Sequence, residues 1–125
     1  MIASLKNVEE RVLAALKKVL DPELGVNVVD LGLLRGIEIS EGPIIKIKMT
    51  LTTPGCPMGF FILGMAKKKV EEEVKEAKEV SVELVLDPPW TPLDLTEEGR
   101  RILKERLNYD PVELYLKRYG PKKEG

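Results

Sequence analysis

Cys56 is the only cysteine in the chain, and it lies in the segment Thr52-Thr53-Pro54-Gly55-Cys56-Pro57. A thiol set just before a proline that can open a helix faces unpaired N–H groups and the positive end of the helix dipole. Both favour the thiolate. Gly55 leaves the backbone open to approach, and Thr52 and Thr53 add hydroxyl donors nearby. A lone cysteine is more commonly a small buried hydrophobe, but these flanks point to a functional thiol.

The missing residue types narrow what that thiol can do. The chain has no histidine, so a Cys–His nucleophilic pair has no base. Thioredoxin-type exchange needs a second cysteine. A tightly held metal or cluster needs about four ligands, and one thiolate per chain falls short even in a dimer. A shared or transient ligand completed by a partner remains, as does redox modification. An enzyme using the thiolate covalently is the weakest reading.

Three further groups could contribute. Asp21, Glu23 and Asp30 lie in an irregular stretch, where carboxylates serve as hard ligands or acceptors; Asp21-Pro22-Glu23 equally serves to end a helix and shape a turn. Trp90, the only tryptophan, sits in Asp87-Pro88-Pro89-Trp90-Thr91-Pro92 as core filler or as an anchor at a partner surface. Phe60-Phe61-Ile62-Leu63-Gly64-Met65 is apolar all round. Either neighbouring elements cover every side, or a patch containing Phe60 and Phe61 meets another protein.

The elements that must position these residues follow from periodicity. Asn7-Val8-Glu9-Glu10 has the form of a capping box, followed by an apolar stripe from Val8 to Leu20. This predicts a first helix ending before Asp21-Pro22. Residues 34–40 read as a strand, Glu41-Gly42-Pro43 as a turn, and Ile45, Ile47, Met49 and Leu51 alternate with polar residues in a second strand.

A second helix is predicted from about Met58 to Ala77, with Leu63, Ala66, Val70, Val74 and Ala77 as its buried stripe. The run Lys67-Lys68-Lys69-Val70-Glu71-Glu72-Glu73 then forms its solvated face. A third strand spans Val80 to Leu86, burying Val80, Val82, Leu84 and Leu86. Thr96 caps a helix over 97–107. Asp110 caps a shorter one, with Pro111 at its first position and Gly120 past its end.

The order α-β-β-α-β-α makes an α/β (α+β) two-layer sandwich with a small mixed three-stranded sheet. Residues 1–107 form one domain, and 108–125 a short C-terminal helix and tail.

Composition excludes several classes. With 20 basic and 21 acidic residues interspersed, nothing resembles the one-sided basic surface of a nucleic-acid binder. No apolar run is long enough to span a bilayer, and no signal sequence is evident. A single cysteine fits a reducing compartment, so the expected location is cytoplasmic. Lys/Glu enrichment and the absence of glutamine suggest a thermophilic source.

Asp21-Pro22-Glu23, Asp30-Leu31-Gly32, the Cys56 segment and the Trp90 segment occur in the order and spacing of the SufT/PaaD-like family. This domain-of-unknown-function family is shared with the eukaryotic cytosolic iron–sulfur assembly factor, and the resemblance spans about residues 8–107. It implies an iron–sulfur-cluster-assembly-type domain and an accessory or carrier role in maturing iron–sulfur proteins. The family's cysteine matches Cys56, and its acidic and threonine positions match Asp21, Glu23, Thr52 and Thr53.

The implied cargo is transient iron or an iron–sulfur cluster at Cys56, with no tightly bound cofactor. The implied partners are other assembly proteins and apo client proteins, with a homodimer as a further option. The chain carries no Walker-type GxxxxGK[ST] sequence, so any P-loop scaffold ATPase is separate. The PaaD branch has extra cysteines near its C-terminus; none follows Leu107 here, which favours the general assembly branch. A metal-free adaptor in the same pathway is the alternative.

Overall fold

The computed structural model describes residues 2–22, 24–52 and 57–120. The expectations placed on Glu23, Thr53, Gly55 and Cys56 lie outside the described residues.

Helix α1 (Ile2–Leu16) buries Val8, Val12, Ala15 and Leu16 along one stripe, as helical spacing requires of a face laid on a core. Its limits differ from those expected. Asn7 is an exposed residue inside the helix rather than its cap, because the backbone is already helical from Ile2. At the other end, the Lys18 and Val19 N–H groups reach back only to the Ala15 and Leu16 carbonyls, at 3.0 Å each, a tightened final turn. Leu20 then bridges Asn27, and the Asp21 N–H donates to the Val26 carbonyl at 3.0 Å. That return pairing takes 17–20 out of the helix.

β1 (Leu34–Ser40) and β2 (Ile44–Met49) form the expected antiparallel pair, with Ile37 opposite Ile47 and Ile39 opposite Ile45. β3 (Glu79–Leu84) runs parallel to β2, placing Val80 opposite Ile45 and Val82 opposite Ile47. The strand order is β1-β2-β3, so β2 is central and its Ile45, Ile47 and Met49 are fully buried. On the wet face Lys48 reaches Glu38 at 2.8 Å and Lys46 reaches Glu83 at 3.2 Å, diagonal pairs that bind the three strands in register.

Helix α2 (Pro57–Glu73) is the crossover between the parallel strands and packs on both α1 and β3. Its buried stripe is Ile62, Ala66 and Val70, continued by Val74. Leu63 and Ala77, expected within that stripe, are only partly buried. The helix stops at Glu73, short of Ala77, because the Lys78 N–H donates to the Pro43 carbonyl at 2.8 Å and draws the chain into the sheet. Leu86 is 45% exposed rather than buried; the last sheet hydrogen bond is from the Val85 N–H to the Met49 carbonyl, 2.7 Å.

A 3-10 turn at Pro92–Asp94 leads into α3 (Glu97–Leu107) and α4 (Pro111–Tyr119). Both caps are as expected. Thr96 Oγ1 accepts from the Gly99 N–H, and Asp110 accepts from Val112 and Glu113. Asp110 also holds Arg100 of α3 through Nη2–Oδ2 at 2.6 Å, fixing the angle between the two helices. The result is the expected two-layer α+β architecture with a mixed three-stranded sheet. Among the described residues no helix is long and apolar enough to cross a membrane.

Candidate functional site

Cys56 lies in the sequence between β2 and α2, and the described residues on either side of it are held together. Leu51 is 2% exposed. Its side chain lies against Gly59 in the first turn of α2, where a Cβ would come within 2.6 Å of Leu51 Cδ1. Glycine is therefore required at 59 for α2 to approach Leu51 this closely. Thr52, the described threonine of the pair, is half-buried beside Leu51. Pro57 is the first residue of α2, as its position after Cys56 suggested.

Thr50, one residue before this flank, is 1% exposed, and its hydroxyl has no hydrogen-bond partner among the described residues. It is a buried polar group that the sequence reading passed over, since alternation alone puts it on the wet face with Lys46 and Lys48.

Asp21 is 4% exposed. Its Oδ1 accepts from the Leu24 N–H at 3.0 Å, and its carbonyl accepts from the Gly25 N–H at 2.7 Å. Gly25, at φ +70°, leaves room for the Arg106 guanidinium of α3, which a Cβ would approach to 2.6 Å. The acidic turn is thus closed by its own carboxylate and overlaid by a residue from the far end of the chain.

The second acidic motif, Asp30-Leu31-Gly32, receives the segment 90–99. Thr96 donates its hydroxyl to Asp30 Oδ1 at 2.7 Å, and Asn27 donates its amide to Asp30 Oδ2 at 2.7 Å. The Trp90 indole N–H donates to the Leu31 carbonyl at 2.7 Å. At Gly32 (φ +85°) a Cβ would fall 2.2 Å from the Asp94 carbonyl oxygen. Arg35, at the irregular start of β1, adds a bond from Nη2 to the Pro88 carbonyl at 3.1 Å and approaches Asp94 Oδ2 at 3.6 Å.

Both oxygens of Asp30 are therefore occupied. Burial, the largest single effect, pushes its pKa upward. The hydrogen bonds from Thr96 and Asn27, with the field of Lys17, outweigh it and hold the carboxyl below its ordinary value of 3.8.

Of the expected surface residues, Phe60 and Phe61 are 55% and 56% exposed. Trp90 is half-buried and packs on the core. No hydrogen bond joins Thr52, Phe60, Phe61 or Trp90 to one another among the described residues. The residues of the Asp30 clamp beyond the motif itself, Asn27, Thr96 and Gly99, carried only one signal in the sequence: Thr96 as a helix cap.

A mixed three-stranded sheet backed by two helices, with an acidic turn between the first helix and the first strand, defines a small α+β domain. Residues 9–84 match the family model described as iron-sulfur cluster assembly protein, and the chain belongs to that family. It is 41% identical over 83 residues to the Fe-S protein maturation auxiliary factor YitW of Bacillus subtilis, covering 66% of this chain and 80% of that protein. It is also 41% identical over 73 residues to the Fe-S protein maturation auxiliary factor SufT of Staphylococcus aureus, covering 58% and 82% respectively. Among solved structures, the DUF59 domain of Bacillus anthracis superimposes with a TM-score of 0.74 at 36% identity, covering 78% of this chain and 92% of that one.

Proposed function

We propose that this protein is an accessory or carrier factor in the maturation of iron–sulfur proteins, and that Cys56 is a transient ligand for iron or a cluster as cargo. The observation that carries this reading is the family match across residues 9–84, which spans Cys56 and both flanks of its loop. The chemistry agrees. The thiol directly precedes a 17-residue helix, whose N-terminal dipole favours a thiolate. One thiolate supplies one of the roughly four ligands a cluster needs, so cargo is held together with a partner and readily released. Asp21, Glu23, Thr52, Thr53 and Gly55 shape the surroundings. The partners are separate assembly proteins, a P-loop scaffold ATPase among them, and apo client proteins, in the cytoplasm.

Anaerobic reconstitution tests this. The parent protein should bind iron and pass a cluster to an apo-protein, and Cys56→Ala should lose at least ten-fold in transfer rate. A variant that binds and transfers as well as the parent would sink the proposal.

A metal-free adaptor is favoured by one observation, the exposure of two adjacent phenylalanines at the start of α2. That reading expects Cys56→Ala to retain partner binding while Phe60→Ser with Phe61→Ser abolishes it.

A further inference from the structure

We draw no further inference here: the strongest candidate, the exposed apolar patch that Phe60 and Phe61 form beside Gly64 at the start of α2, is an unpartnered helix face, and nothing in the structure shows what covers it.

Discussion

Thr96 donates its hydroxyl to Asp30 Oδ1 at 2.7 Å and its N–H to the Asp30 carbonyl at 3.0 Å. The same hydroxyl accepts from the Gly99 N–H at 3.1 Å. One residue thus caps α3 and ties that helix to a turn 66 positions earlier. The Asp30-Leu31-Gly32 motif is thereby explained as a receptor for the chain's own C-terminal third: a carboxylate for Thr96, a carbonyl for Trp90, and a bare backbone for Asp94.

Gly99→Ala should disrupt that docking. A Cβ at 99 would lie 2.2 Å from the Asp30 carbonyl oxygen, and backbone cannot rotate aside as a side-chain tip can. The expected loss is about 3 kcal/mol, the upper end for forced overpacking, read as a fall in the urea midpoint. An unchanged midpoint would mean that α3 does not sit against Asp30.

The Asp30 carboxyl also sets a pH dependence. Its folded pKa lies below the ordinary 3.8, so the unfolded chain takes up its proton first as pH falls. The stabilisation is fully present above about pH 5 and is lost as pH drops through 3.8 toward the folded value. Thr96→Val removes one lowering hydrogen bond, so the Asp30 carboxyl should titrate at higher pH by carbon-13 NMR, and the acid-unfolding midpoint should move up with it. A resonance that titrates as in the parent would refute the assignment.

Thr50→Val should be neutral or mildly stabilising. The Thr50 hydroxyl is buried without a partner among the described residues, and replacing an unsatisfied polar group by an apolar one of like shape removes a desolvation cost of ~1–3 kcal/mol. Thermal denaturation decides the matter: a clear loss of stability would show that the hydroxyl has a partner.

Gly59 and Leu51 should be coupled. Gly59→Ala alone forces Leu51 to move and should cost roughly 1–3 kcal/mol, while Leu51→Ala should cost about 2–5 kcal/mol. In the double variant the new methyl group occupies the space that Leu51 vacated, so the summed penalty should fall by at least about 1 kcal/mol. Strict additivity in a denaturant series would separate the two flanks of the Cys56 loop.

Local signals in the chain were sufficient where the physics is local. The alternation of Ile45, Ile47 and Met49 with Lys46 and Lys48 set the faces of β2. Thr96, Asp110 and Pro111 marked the starts of the last two helices, because a cap depends on residues within one turn. The elimination of catalytic partners for Cys56 needed only composition, and its family motifs were readable as strings. The limits of α1 and α2 were misread for a different reason: the return pairing of Leu20 with Asn27 and of Lys78 with Pro43 ends those helices from outside.

The tertiary structure alone decided which segments cover which faces. Periodicity tells that Ile62 or Leu63 turns inward but not which one meets the sheet, and it cannot show Phe60 and Phe61 left outside. Nor can it pair Asp30 with Thr96, or bring Lys18 beside Lys68 and Lys69. Those are contacts between residues far apart in sequence, and only the parallel placement of β3 on β2, with α2 crossing between them, brings them together.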